Sequence, residues 1–137
     1  MTTRILVADD YEPWRRFVAS LVLFGQPQWR IVGEASDGAE IVRKAKELQP
    51  DLVLLDIRMP EINGFEAARQ IVKIVPGAKI LFLSGFDSPE MVEEAMRTGA
   101  HGYVVKLDAV RELVCAVESV FRGERFVSKR FKGCIAV

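Results

Sequence analysis

The apolar run Leu52–Leu55, followed at once by Asp56, constrains the fold more than any other stretch of this 137-residue chain. Its four consecutive apolar residues do not alternate with polar ones, which is typical of a strand buried on both faces of a parallel sheet. A carboxylate at the carboxyl end of such a strand lies where open α/β sheets bind their ligands. Taken alone, Asp56 fits equally well as a cap of the turn before Pro60.

Composition places the chain among ordinary folded domains. Half of its residues are hydrophobic, and 19 Lys and Arg residues balance 19 Asp and Glu residues. This composition excludes a disordered chain and lacks the basic excess of nucleic-acid-binding domains, so we expect no nucleic-acid binding by this chain itself. One short basic run, Lys129, Arg130 and Lys132, is more typical of a solvated tail.

The cysteines and the first residues indicate a cytoplasmic protein. Cys115 and Cys134 are too few for a disulfide framework and lack zinc-ligand spacing, which favours a reducing compartment. Cys115 lies in a helical apolar pattern, so we expect it in the core. The beginning of the chain has only a short apolar run before Asp9 and Asp10, which predicts neither a signal peptide nor a membrane span.

Short apolar runs alternate with amphipathic helical patterns five times along the chain. The predicted strands are 5–8, 29–35, 52–55, 80–83 and 103–105, and the predicted helices are 13–24, 39–48, 65–75, 89–99 and 108–122. This alternation predicts an α/β fold: a five-stranded, doubly wound parallel sheet of the flavodoxin-like (βα)5 type, with strand order 2-1-3-4-5. The buried stripe of the last helix is predicted to be Val110, Leu113, Val114, Val117 and Phe121.

Residues of chemical use follow four of the predicted strands. They are Asp9 and Asp10, Asp56, Ser84, and Lys106. Because all carboxyl ends of a parallel sheet lie at one edge, we expect these residues to converge. Taken singly, Asp9 and Asp10 are more typical of a helix cap, Ser84 of a turn and Lys106 of a solvated charge, but their common position at the strand ends favours a site.

The chemistry of these side chains predicts a metal and a phosphate. Clustered carboxylates repel one another unless a proton or a cation is bound, and oxygen-only ligands suit Mg²⁺. A lysine supplies a point charge for a phosphate oxygen, and a serine hydroxyl supplies a hydrogen bond. A carboxylate nucleophile beside such an anion site is the arrangement needed to form an aspartyl phosphate.

With these motifs the sequence resembles the receiver domain of two-component response regulators. The resemblance covers about residues 3–122 and includes the acidic pair, the LLDIRMPEINGFE segment, Ser84-Gly85 and GAHGYVVK. It implies a receiver domain over residues 1–123, with residues 124–137 as a C-terminal tail or the start of a linker. It also implies a phosphorylation-dependent signalling protein that takes part in its own phosphotransfer and autodephosphorylation but is not an enzyme.

The resemblance also assigns roles to individual residues. Asp56 is then the phosphoacceptor, and the Mg²⁺ ligands are Asp9, Asp10, Asp56 and the backbone carbonyl of Arg58. Ser84 is the switch hydroxyl, Lys106 the phosphate-binding lysine and Tyr103 the aromatic switch. The donor is a sensor histidine kinase, a phosphotransfer protein or a small acyl phosphate.

Two departures refine this resemblance. Leu107 follows Lys106 where receivers commonly have a proline, so we expect a trans bond there, because a cis non-proline bond costs about 3 kcal/mol. The ending without proline resembles receivers of LuxR-type regulators, so the chain is either a stand-alone receiver or the receiver part of a LuxR-type transcriptional regulator. Homodimers through the first and last helices, or through helix four, strand five and helix five, are implied by resemblance only.

Residues next to the predicted site bear on how long a phosphate would persist there. Arg58 and Phe86, each two residues beyond a site residue, are predicted to slow hydrolysis by shading the phosphate. His101 is interpreted as a surface-turn residue, and Trp14 and Trp29 are interpreted as packing anchors.

Two other families of similar architecture fit the residues less well. A dehalogenase-type phosphatase needs an acid where Arg58 stands. A flavodoxin needs a Ser/Thr/Gly-rich phosphate loop after strand one, where the acids of this chain would repel a phosphate. The rival that remains is a docking module that does not use phosphorylation.

Overall fold

The computed structural model describes residues 2–134. Its strands are β1 (Thr3–Ala8), β2 (Trp29–Ala35), β3 (Leu52–Leu55), β4 (Lys79–Ser84), β5 (Gly102–Val105) and β6 (Phe126–Val127). Its helices are α1 (Glu12–Val22), α2 (Gly38–Leu48), α3 (Gly64–Ile74), α4 (Pro89–Arg97) and α5 (Ala109–Phe121), with short 3-10 turns at Lys106–Asp108 and Lys129–Phe131. None of these helices is long and apolar enough to cross a membrane.

The strands form one parallel sheet in the order β2-β1-β3-β4-β5-β6. The predicted order of the first five strands is confirmed, but the prediction of a five-stranded sheet was wrong. The sixth strand pairs Phe126 with Gly102 and Val127 with Tyr103. A strand of two residues is too short to show an alternation of polar and apolar side chains, so only its pairing with β5 identifies it as a strand.

Helices cover both faces of the sheet and bury two apolar clusters. One cluster joins α1 and α5 to the sheet through residues such as Val18 and Leu113. The other joins α2, α3 and α4 to the opposite face through residues such as Ile41, Ile71 and Val92. The layered architecture that the alternation predicts is therefore present.

The buried stripe of α5 differs from the predicted one. Leu113 and Val117 are buried and Val114 is partly buried, but Val110 is 69% exposed and Phe121 is 38% exposed. The stripe is made instead by residues spaced three or four apart: Ala109, Leu113, Ala116, Val117 and Val120. Cys115 lies outside this stripe and is exposed, so its predicted core position was wrong.

Local chemistry fixes the segment that follows β3. The side chain of Asn63 accepts a hydrogen bond from Glu66 N and so caps α3. Gly64 N donates to Ile57 O at 2.7 Å, and a Cβ at Gly64 would clash with the carbonyl oxygen of Asp56. Only glycine allows this close approach, which holds the backbone of Asp56 against the first turn of α3.

Candidate functional site

The predicted site residues lie at the carboxyl ends of the strands. Asp9 and Asp10 follow β1, Asp56 follows β3, Ser84 ends β4 and Lys106 follows β5. The three aspartates each offer a carboxylate oxygen, and these oxygens lie within 4.8 Å of one another. The structure therefore brings the acids together as the strand ends predict.

A cavity of about 380 Å³ opens at this edge of the sheet. It is lined by Asp10, Asp56, Arg58, Ser84, Gly85, Phe86 and Lys106. Asp9 is only 1% exposed and is not among the lining residues. The cavity thus brings together carboxylates, a cationic side chain and a hydroxyl group. A concave polar site of this kind binds small anions or metal complexes.

Two of the carboxylates are oriented by backbone groups. Asp9 Oδ1 accepts a hydrogen bond from Tyr11 N at 2.9 Å, and Asp56 Oδ1 accepts one from Ile57 N at 2.8 Å. The second oxygen of each points to Lys106, whose Nζ lies 2.6 Å from Asp9 Oδ2 and 3.3 Å from Asp56 Oδ2. Each acid thus has one oxygen fixed by the fold and one directed to the site.

The charges of this cluster alter the protonation of Asp56 and Lys106. Burial raises the pKa of Asp56 to about 6, with Asp9 adding to the rise and Lys106 opposing it. Burial alone would lower the pKa of Lys106, but hydrogen bonding and the charges of Asp9 and Asp56 outweigh it and raise that pKa. At neutral pH the site therefore holds a carboxylate with a lysine ammonium beside it.

The donor set fits a hard divalent cation. Three carboxylates lie close together here, and Asp9 and Asp56 both pair with the single ammonium group of Lys106. One ammonium does not balance the charge of three carboxylates, and carboxylates this close repel one another unless a further cation or a proton is bound. Asp9, Asp10 and Asp56 could together hold such a cation through oxygen alone, the ligand type that Mg²⁺ prefers.

Ser84, Arg58 and Phe86 form a further part of the cavity wall. Ser84 is fully buried, and its Oγ accepts a hydrogen bond from Phe86 N at 3.1 Å. The guanidinium carbon of Arg58 lies 5.2 Å from the centroid of the Phe86 ring, which is a cation–π contact. Both side chains line the cavity. That they slow hydrolysis stays a prediction. The proposed ligand role of the Arg58 carbonyl stays a prediction.

Tyr103 lies behind this wall and does not line the cavity. Its side chain is fully buried, and its hydroxyl donates to Phe86 O at 2.8 Å. Burial raises the pKa of the phenol to about 12. The ring packs between Phe82 and Phe131. Tyr103 therefore occupies an inward, buried position, and its role as the aromatic switch stays a prediction.

Two residues of α1 contact the site without having been predicted to do so. Lys106 Nζ lies 5.1 Å from the ring centroid of Trp14, and Arg15 Nη1 donates to the backbone carbonyl of Asp9 at 2.7 Å. Both belong to the first turns of α1, which starts directly after the acidic pair. The only signal in the sequence for these two contacts is the proximity of α1 to the end of β1.

The Lys106–Leu107 bond is trans as predicted, since the described residues contain no cis peptide bond.

The family comparison identifies a known domain. A model of the response regulator receiver domain matches residues 5–118. YxjL of Bacillus subtilis (strain 168), an uncharacterized transcriptional regulatory protein, is 40% identical over 121 residues, which is 88% of this chain and 55% of YxjL. The chain spans 55 to 59% of the length of the first curated relatives that it matches.

Solved structures agree with this match. A two-component response regulator of the LuxR family from Aurantimonas sp. SI85-9A1 superposes with a TM-score of 0.89 and 32% identity, covering 96% of this chain and 94% of that one. The CheX–CheY–BeF3–Mg²⁺ complex from Borrelia burgdorferi contains a chain that superposes with a TM-score of 0.80 and 26% identity, covering 86% of this chain and 88% of that one.

Proposed function

Since this chain belongs to the family of response regulator receiver domains, we propose that it is a signalling module switched by phosphorylation of Asp56. The observation that carries the proposal is the position of Asp56 Oδ2, which faces the cavity 3.3 Å from Lys106 Nζ while Oδ1 is held by Ile57 N. A fixed, ionised carboxylate beside a cation is suited to act as a nucleophile toward a phosphoryl group.

The proposed transfer is a single displacement. An oxygen of Asp56 forms a bond to phosphorus while the bond from phosphorus to the donor breaks, and its electron pair returns to the donor's imidazole nitrogen or carboxylate oxygen. Lys106 binds one phosphoryl oxygen, and the Ser84 hydroxyl donates to another. Mg²⁺ bound by Asp9, Asp10 and Asp56, together with the Arg58 carbonyl, would neutralise the charge that accumulates on the phosphoryl oxygens.

The relatives support this assignment of the ion and the phosphoryl site. The CheY chain from Borrelia burgdorferi occurs in a complex with CheX, BeF3 and Mg²⁺, and BeF3⁻ mimics a phosphoryl group on a carboxylate. By this analogy, the partners of the present chain are a sensor histidine kinase or a phosphotransfer protein. We do not assign a turnover reaction to it, because its own aspartate is the acceptor.

The output follows from the relatives only as a proposal. YxjL is a transcriptional regulatory protein, and the Aurantimonas structure is of a LuxR-family regulator. We infer that this chain acts as the receiver part of a LuxR-type transcriptional regulator, or as a stand-alone receiver of the same type. Homodimerisation through helix faces belongs to the same proposal.

Chemical trapping of the modified residue tests the phosphoacceptor. The protein is incubated with acetyl phosphate and Mg²⁺ and then with borohydride, which reduces an aspartyl phosphate to homoserine. We expect the reduced residue at position 56 in peptide mass spectra, and its disappearance after neutral hydroxylamine treatment before the reduction. Reduction at another aspartate would contradict the assignment of Asp56, and no reduction with any donor would favour a docking module.

A further inference from the structure

One side chain of the C-terminal segment, residues 124–134, contacts both loops that carry the switch residues. Arg130 donates to Asp108 through Nε and Nη2, both at 2.8 Å, and its Nη1 lies 3.9 Å from Asp87. Asp108 belongs to the same 3-10 turn as Lys106, and Asp87 lies three residues after Ser84. Arg130 therefore bridges the loop after β4 to the turn after β5.

A second set of contacts leads from Ser84 to the same segment. Phe86 N donates to Ser84 Oγ, and Phe86 O accepts from the Tyr103 hydroxyl. The Tyr103 ring packs edge-on against Phe131, with centroids 6.3 Å apart, and Phe131 is buried. Each of these contacts is direct, so a displacement of the loop at Phe86 would change the packing of Phe131 through the ring of Tyr103.

The C-terminal segment is held to the rest of the domain at defined positions. Ser128 Oγ accepts from Val105 N at 2.9 Å, directly before Lys106, and Lys129 N donates to Glu112 Oε2 at 3.0 Å. Phe126 N donates to His101 O, and Ser128 N donates to Tyr103 O. These hydrogen bonds distinguish the segment from the solvated tail that the run of basic residues predicts.

We propose that the C-terminal segment senses the state of Asp56: it is docked while Asp56 is unmodified and loosens when Asp56 is phosphorylated. This inference rests on the proposed function. To bind a phosphoryl group, the Ser84 hydroxyl, whose Oγ now accepts from Phe86 N, and Lys106, which now pairs with Asp9 and Asp56, must reorient toward the phosphoryl oxygens. The loops that they belong to then shift, and Arg130 and Phe131 lose the geometry that both loops now provide.

The coupling must act in both directions. If phosphorylation loosens the C-terminal segment, then weakening the segment must favour the phosphorylated state by the same factor. Residues 124–134 would thus transmit the signal to whatever follows them in the chain. The beryllofluoride ion with Mg²⁺ is a suitable probe, because it occupies the phosphoryl site without a donor protein.

Hydrogen exchange of the full chain tests the first direction. We expect the amides of Phe126 and Ser128 to exchange faster when BeF3⁻ and Mg²⁺ are added to the wild type, and to be unchanged in Asp56→Asn. Equal or slower exchange in the wild type with the probe bound would overturn the inference while leaving the proposed function intact. Failure of the wild type to bind the probe would overturn both.

Affinity for the probe tests the reverse direction. Arg130→Ala should bind BeF3⁻ about fivefold more tightly than the wild type, at the lower end of common allosteric couplings. Arg130→Lys, which keeps the charge but loses the two-pronged contact, should lie between them. Lys132→Ala removes an exposed cation from the same segment and should match the wild type. Unchanged affinity in both Arg130 variants, each still folded by circular dichroism, would contradict the coupling.

Discussion

The ammonium group of Lys106 lies 5.1 Å from the centroid of the Trp14 ring, so a cation–π contact joins the first turn of α1 to the lysine of the site. Lys106 is a long, flexible side chain that also pairs with Asp9 and Asp56. The Trp14 ring limits the positions that this ammonium can adopt, which makes Trp14 a positioning residue. It does not itself line the cavity.

Replacement of Trp14 should therefore slow phosphorylation. A cation–π contact contributes about 0.5 to 2 kcal/mol, so Trp14→Leu should lower the rate with acetyl phosphate by about twofold to thirtyfold. Trp14→Phe retains a weaker aromatic face and should lose less. Single-turnover mass spectrometry at fixed Mg²⁺ measures the rate.

A neighbouring aromatic residue provides the matched control for Trp14. Phe17 packs against Trp14 with ring centroids 5.2 Å apart and is 39% exposed. Phe17→Leu disturbs the packing of Trp14 while leaving its contact with Lys106 in place. If Phe17→Leu slows phosphorylation as much as Trp14→Leu, packing of α1 explains the effect and the positioning role is wrong.

Ser84→Ala should separate phosphorylation from the response. Asp56, its acidic neighbours and Lys106 remain, so the phosphoryl adduct should still form. Phe86 N loses its acceptor at Ser84 Oγ, and the phosphoryl group has no hydroxyl to draw the loop inward. We therefore expect a weaker phosphorylation-dependent shift of the Phe86 amide in NMR spectra. Ser84→Thr keeps the hydroxyl and should respond; a full response from Ser84→Ala would refute this role.

Phe86→Ala should shorten the lifetime of the phosphorylated form. The Phe86 ring and Arg58 contact each other and both line the cavity, so we expect removal of the ring to open Asp56 to attacking water. The decay of the adduct after rapid removal of acetyl phosphate measures this lifetime. Because the two residues contact each other, the effects of Phe86→Ala and Arg58→Ala on the decay rate should not add in the double variant. An unchanged decay rate in Phe86→Ala would exclude the shielding role of the ring.

His101 should make stability depend on pH. Its Nδ1 accepts a hydrogen bond from Ile80 N at 3.0 Å, and burial, with the charges of Lys79 and Arg125, lowers its pKa. The unfolded chain, with an ordinary histidine pKa of about 6.5, then binds more protons below that pH than the folded chain does. The folded state therefore loses stability as the pH falls below about 6.5.

Urea unfolding of wild type and His101→Asn isolates this contribution. Asparagine can accept the same hydrogen bond but does not titrate, and other groups, including Asp56, are common to both proteins. The stability of the wild type relative to the variant should decrease from pH 7.5 to lower pH. A difference that stays constant across pH would show that His101 titrates alike in both states.

The sequence is sufficient to predict the part of the site that parallel topology dictates. Leu52–Leu55 marks a central strand, and the residues that follow the strands must meet at one edge because all strands share a direction. Asp9, Asp56, Ser84 and Lys106 were therefore predictable as a group. Their convergence needs no knowledge of side-chain conformations.

The contacts that depend on side-chain packing were not predictable. Three features depend on contacts between segments that are separated in the sequence, so no local pattern indicates them. They are the sixth strand of the sheet, the packing of Phe131 on Tyr103 and the ion pair of Arg130 with Asp108. The buried face of α5 includes the small residues Ala109 and Ala116, whereas periodicity alone favours the larger ones. His101 lies in the bend before β5, as predicted, but it is half-buried, and the sequence does not reveal that its Nδ1 accepts a hydrogen bond from Ile80 N in β4.

Intact mass after incubation with acetyl phosphate and Mg²⁺ tests the central claim most directly. The claim predicts a single phosphoryl adduct in the wild type, no adduct in Asp56→Asn, and loss of adduct formation when Mg²⁺ is chelated. An adduct of equal yield in Asp56→Asn would contradict the assignment of the phosphoacceptor. Absence of any adduct in the wild type, with acetyl phosphate and with histidine kinases as donors, would contradict the account as a whole.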